Sequence, residues 1–126
     1  MEQVRFGIIG VGNMGTIHST YLNAGEIEGA VLSAVCDLKE SRRQWAKENL
    51  ADTVKIFSDY KEMLASGLCD AIIVAVPHYD HPRFAIEGFQ NGLHVMCEKP
   101  AGVYTLDVRA MNEEAAKHPE LKFGMM

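Results

Sequence analysis

Residues 7–15 read GIIGVGNMG, and the reading of this stretch decides the fold. The β-branched run Val4 to Ile9 leads into Gly10, Gly12 and Gly15, and a helix is expected from about Asn13, where Met14, Ile17, Tyr21 and Leu22 fall at helical spacing before a stop near Gly25. A second β-branched strand, Val31 to Cys36, then ends in Asp37, 22 residues beyond Gly15. A bare GxGxxG is weak because glycine is common. Here the strand before, the helix after and the acid closing the second strand supply the context of a dinucleotide fingerprint. In that pattern the first glycine allows the tight turn. The second lets the backbone approach a pyrophosphate, and the third lets the helix press against the strand. The backbone amides around Asn13 and Met14 then point at the phosphates, supported by the positive end of the helix. The bland alternative is a tight strand-to-helix turn with no nucleotide.

Outward from the glycine loop, strand and helix alternate. A charged helix spans Ser41 to Leu50, with Trp45, Ala46 and Leu50 as its inner stripe, and Ile56 and Phe57 mark a short third strand. Tyr60 to Ala65 forms a short helix closed by Gly67. Ala71 to Val76 is apolar at every position, as expected of a central parallel strand covered on both faces. His81 to Asn91 reads as the fourth helix, Leu93 to Cys97 as the fifth strand, Thr105 to Lys117 as the fifth helix, and Leu121 to Met126 as the start of a sixth strand. This alternation predicts an α/β fold, a doubly wound parallel sheet of six strands with flanking helices in a single Rossmann domain over residues 1–126.

Composition narrows the function. The chain has 126 residues, enough for one domain with a packed core, and is 48% hydrophobic and 23% charged. With 12 Lys plus Arg against 17 Asp plus Glu, the net charge is −5, which argues against a nucleic-acid surface. No apolar run approaches the ~18 residues of a membrane helix, and the N-terminus lacks a secretory pattern. Cys36, Cys69 and Cys97 are odd in number and form no CxxC pair, so reduced, buried, cytoplasmic thiols are expected.

Ligands of such sheets sit outside the carboxyl ends of the strands. Asp37 can accept hydrogen bonds from both hydroxyls of an adenosine ribose. A 2′-phosphate ~4 Å away would meet ~4 kcal/mol of repulsion per charge at an effective dielectric of 20, so NAD is expected, with NADP possible. Arg42, on the first turn of the next helix, keeps NADP open, because it can reach a phosphate or stack on adenine. Strand four ends in AVPHYDHP, which places Val76, Pro77, His78 and His81 near the cofactor. Two histidines without a third ligand nearby do not make a metal site. Strand five ends in HVMCEKPAG, where Pro100 pushes Lys99 toward an extended conformation at the strand tip.

Together the GIIGVGNMG opening with His18 three residues after Gly15, the segment AVPHYDHP and above all CEKPAG resemble the glucose-fructose oxidoreductase, inositol dehydrogenase and MocA family of NAD(P)-dependent oxidoreductases, over essentially the whole chain. The resemblance implies that Lys99 lies by the nicotinamide and the reacting carbon of a sugar or polyol, with Glu98 as its neighbouring acid. Pro77 matches the proline that ends strand four, and His81 the usual histidine of that loop. His78 stands where asparagine is common, and His18 matches a frequent family residue that reads as structural on the inner face of its helix. The family carries a substrate domain after strand six, so the chain is expected to be part of a longer enzyme, inactive alone, with apolar ends prone to self-association. A non-catalytic nucleotide sensor would need the glycine loop and Asp37 but not Lys99, and a third possibility is a domain used only for assembly.

Overall fold

All four residues of Ala71–Val74 are buried, which only the middle of a sheet covered on both faces can provide. The computed structural model describes residues 3–76, 81–97 and 105–125. Its elements run β1 (Val4–Ile9), α1 (Asn13–Asn23), β2 (Ala30–Cys36), α2 (Glu40–Asn49), β3 (Lys55–Phe57), α3 (Tyr60–Ala65), β4 (Ala71–Val74), α4 (His81–Gln90), β5 (His94–Cys97), α5 (Thr105–Ala116) and β6 (Phe123–Met125). The six strands form one sheet in the order β3-β2-β1-β4-β5-β6, with all five neighbouring pairs parallel. The chain therefore runs outward from β1 to one edge, returns to β4 beside β1, and runs to the other edge. The expected doubly wound sheet is what forms. Strand four stops at Val74 instead of Val76, because the backbone bends away where the sheet ends.

Successive strand residues face opposite layers. Ile8, Val35 and Ile73 pack with Leu22 of α1 and Ala46 of α2. Their neighbours Ile9, Cys36, Ile72 and Val74 pack with Met63 of α3, Phe84 and Phe89 of α4, and Met111 of α5. Helix α1 departs from the expected stripe: Met14, Ile17 and Tyr21 are 42%, 45% and 52% exposed. The inward face is Gly15, Ser19 and Leu22 instead. Small residues there let the helix lie close to the sheet, and the buried Ser19 hydroxyl donates to the Gly15 carbonyl at 2.7 Å, so it carries no unmet polar group. The three cysteines are buried, as expected.

The amino-terminal end of the sheet is fastened by one pair. Arg5 donates through Nε to Asp70 Oδ2 at 3.1 Å and through Nη2 to Oδ1 at 2.9 Å, while the Arg5 amide also reaches Oδ2 at 2.9 Å. Main-chain bonds from Asp70 to Arg5 and from His94 to Asp70 continue the tie across β1, β4 and β5. Hydrogen bonds from Arg5 hold the Asp70 carboxyl below its usual 3.8. A carboxyl lowered on folding stabilises the native state above its unfolded value and loses that contribution as pH falls through the folded one. Asp70→Asn should therefore lower the urea midpoint at about pH 7, and the difference from the parent should shrink as pH falls below the usual aspartate value. On the opposite side of the core, Phe89 is fully buried, lies 5.4 Å edge-on from Phe123 and stacks 6.2 Å from His118, which joins α4 to the edge strand. Phe89→Ala should cost about 3–5 kcal/mol of unfolding free energy in urea titrations.

Candidate dinucleotide site

The glycine loop is wedged between the carboxyl ends of β2 and β4. Gly10 donates its amide to the Cys36 carbonyl, and Ala75 donates to that of Ile9, both at 2.8 Å. Gly10 has φ +94°, and a β-carbon there would also sit 2.8 Å from the Ala75 carbonyl oxygen. A β-carbon on Gly15 would overlap the carbonyl oxygen of Gly10. The third glycine thus presses α1 onto the turn at the end of β1. Gly12 differs in kind: a β-carbon on it would meet nothing within 4 Å. Its missing side chain leaves open space beside the start of α1, where no side chain caps the helix. The amides of Asn13, Met14 and Gly15 in that first turn have no acceptor within the helix.

Around Gly10 and Gly12 opens a cavity of about 420 Å³, within the usual ~300–1,000 Å³ of small-molecule sites. Its floor is Ile9, Cys36, Ala75 and Val76 at the strand ends, and its sides are Asp37, Leu38, Lys39 and Arg42 toward α2 and Tyr60, Arg83 and Phe84 toward α3 and α4. Asp37 is fixed by two backbone donors. Val11 donates to Oδ2 at 2.8 Å and Lys39 to Oδ1 at 2.9 Å. Each oxygen keeps a lone pair for a further donor, such as a ribose hydroxyl. Arg42 reaches the Val11 carbonyl only at 3.5 Å.

The floor and the α3 wall are uncharged at neutral pH. Burial pushes the Cys36 thiol up to about 12, so at neutral pH it is an apolar floor and not a nucleophile. Tyr60 is also pushed up to about 12, first by burial and then by its hydrogen bond to Glu87, and keeps its proton. Its ring meets Phe84 edge-on at 4.5 Å, and the Arg83 guanidinium lies 4.7 Å from the Phe84 ring.

Of the residues expected from the sequence, Gly10, Gly12, Asp37, Arg42 and Val76 line this one cavity, with the backbones of Asn13, Met14 and Gly15 entering α1 beside it. His18, half-buried, does not line it. Pro77, His78, Glu98 and Lys99 lie outside the described residues, as do the side chains of Asn13 and His81. Cys97, which precedes Glu98, ends β5 paired with Val74, on the same carboxyl edge as the cavity. Sequence reasoning missed Leu38, Lys39, Tyr60, Arg83 and Phe84. All follow directly on a strand end or sit in an early helical turn on that edge, and this position was the available signal.

This donor set suits a dinucleotide: open helix amides for a diphosphate, space where a side chain would block it, and a held carboxylate for a ribose. Among known proteins, the myo-inositol 2-dehydrogenase of Thermotoga maritima is 34% identical over 120 residues, covering 95% of this chain and 35% of the relative. The solved myo-inositol 2-dehydrogenase of Lactobacillus plantarum superposes with a TM-score of 0.92 at 33% identity, over 99% of this chain and 36% of that one. The scyllo-inositol dehydrogenase of Lactobacillus casei, solved with bound NAD(H) and scyllo-inositol, gives 0.91 at 30% identity, over 98% and 36%. The chain thus spans little more than a third of the length of these relatives. Residues 4–123 match the Gfo/Idh/MocA family, an oxidoreductase family with an NAD-binding Rossmann fold, and the chain belongs to that family.

Proposed function

We propose that the chain is the cofactor-binding domain of a longer NAD-dependent dehydrogenase whose substrate is a ring polyol of the inositol type. The observation that carries this reading is the open space at Gly12, facing the uncapped start of α1 and the fixed Asp37 carboxylate. The inositol dehydrogenases to which the chain is similar support the substrate class. Three buried thiols suit a reducing compartment such as the cytoplasm. Among the described residues, no helix is long and apolar enough to cross a membrane.

In this reading the glycine-loop amides take the diphosphate, and Asp37 takes the adenosine ribose while still holding the Val11 amide. The cofactor, when bound, supplies the hydride acceptor at nicotinamide C4. Lys99 donates a hydrogen bond to the reacting hydroxyl and stabilises the negative charge that develops on its oxygen. The remaining length found in the relatives would supply the substrate pocket and a proton acceptor, so the 126-residue chain alone binds cofactor without turnover.

Calorimetric titration of the 126 residues with NAD should give a dissociation constant above ~1 μM, since most of the relatives' length lies beyond the part matched here. Gly12→Ala should weaken binding by about tenfold or more with an unchanged melting temperature, because the added methyl fills only the ligand's space. Gly15→Ala should instead lower the melting temperature, because the backbone must shift. Binding by Gly12→Ala equal to that of the parent would remove the diphosphate from this loop. In the longer enzyme, Lys99→Ala should cut kcat by about 100-fold or more while leaving the NAD dissociation constant within about threefold. Unchanged turnover would favour a nucleotide sensor.

A further inference from the structure

Tyr60 is the residue through which α3 meets α4 at the cavity. It opens α3 three residues after β3 ends. Its half-buried ring lines the cavity, stands edge-on to Phe84 at 4.5 Å, and has the Arg83 guanidinium 5.9 Å from its centre. Its hydroxyl hydrogen-bonds to Glu87, one helical turn beyond Arg83 on α4. Glu87 itself lines no part of the cavity.

Glu87 is costly to the fold. The one Tyr60 proton can answer only one oxygen of the carboxylate, and Oε2 is buried with no hydrogen-bond partner among the described residues. Nor does an ion pair among those residues meet its charge. A buried acceptor without a donor lowers stability, and such a group in a native protein calls for a reason. Anchoring α4 is not that reason, because Gly88 and Phe89 already do so. A β-carbon on Gly88 would lie 2.7 Å from the Ile72 side chain and 3.0 Å from that of Val95, and Phe89 is fully buried, so α4 rests on β4 and β5 with no room between. Glu87 is therefore a fixed point, and the group it can restrain is Tyr60. A half-buried ring at a cavity wall otherwise gives up its rotational freedom only when a ligand arrives. A bond to a fixed carboxylate takes that loss in advance.

We propose that Glu87 is a positioning residue for cofactor binding: it holds the Tyr60 ring in the wall against which the adenosine half of the dinucleotide packs, and its unpartnered oxygen is retained for that purpose. This inference rests on the dinucleotide reading of the cavity and adds to it a residue that lies behind the wall.

The test is calorimetric titration of the 126-residue chain and its variants with NAD and ADP, each paired with a melting temperature. Glu87→Leu should weaken NAD and ADP alike by about fivefold or more, while the melting temperature stays level or rises because the unpartnered oxygen is gone. Tyr60→Phe keeps the ring, removes the donor, and should weaken both ligands by a similar factor. The double variant should bind no worse than either single one, since the two side chains act as a unit. Glu87→Gln keeps an acceptor for the hydroxyl and should bind within about twofold of the parent. A Glu87→Leu chain that binds NAD as the parent does, or that melts lower or fails to fold, would overturn the inference. Losses that multiply in the double variant, a loss for NAD that ADP does not share, or a Glu87→Gln chain as weak as Glu87→Leu would do the same. Parent-like NAD binding by Tyr60→Phe would overturn it whatever Glu87→Leu does. A parent chain that binds neither NAD nor ADP would overturn the cofactor reading itself, whereas a binding parent with unaffected variants overturns only this inference.

Discussion

The carbonyl oxygen of Gly10 occupies the place where any side chain at position 15 would begin, and the rest of the site depends on that contact. It lets α1 start directly at the end of β1, with the turn held to β2 and β4 by main-chain bonds at Gly10 and Ala75. A larger residue at 15 would lift the helix from the turn, and its open amides would no longer converge on the space beside Gly12. Ser19, one turn further on, continues the close approach with a hydroxyl satisfied inside the helix. Two small residues thus outweigh the apolar periodicity of Met14, Ile17 and Tyr21, which face outward. Proximity of backbone to backbone, more than apolar area, sets this helix.

Electrostatics and burial then divide the labour around the cavity. The carboxylate of Asp37 is held by two amides that belong to different segments, Val11 of the glycine loop and Lys39 of the turn into α2. One side chain therefore fixes the glycine loop relative to the turn into α2. The wall formed by Cys36, Tyr60 and Phe84 stays uncharged at neutral pH, because burial keeps the thiol and phenol protonated. Of the charged residues lining the cavity, Asp37, Lys39 and Arg42 lie on the α2 side and Arg83 on the α4 side.

Fold and site are separated along the strand axis. At the amino-terminal edge the Arg5 and Asp70 pair ties β1 to β4, at the opposite end of β1 from Gly10. At the carboxyl edge the loops are free to carry function, because the sheet between them is secured by Ile72, Val74, Phe89 and Val95 in the core. Stability and binding can accordingly be altered by different residues, as the contrasting surroundings of Gly12 and Gly15 show within a single motif.

The alternation of strand and helix, a central strand beginning at Ala71, and the spacing of Gly10, Gly12 and Gly15 at the turn after β1 with Asp37 at the end of β2 were legible in the sequence alone. Each of these is a local property: a run, a period, or a spacing along the chain. The sequence also carried the family resemblance through segments near Lys99. The tertiary structure alone decided that Gly15 meets the Gly10 carbonyl while Gly12 faces space. It also brought Tyr60, Arg83 and Phe84 from two other helices to the Asp37 cavity. Those facts depend on distances between residues far apart in the chain. Such distances arise only when the sheet has paired in its order and the helices have packed on its two faces.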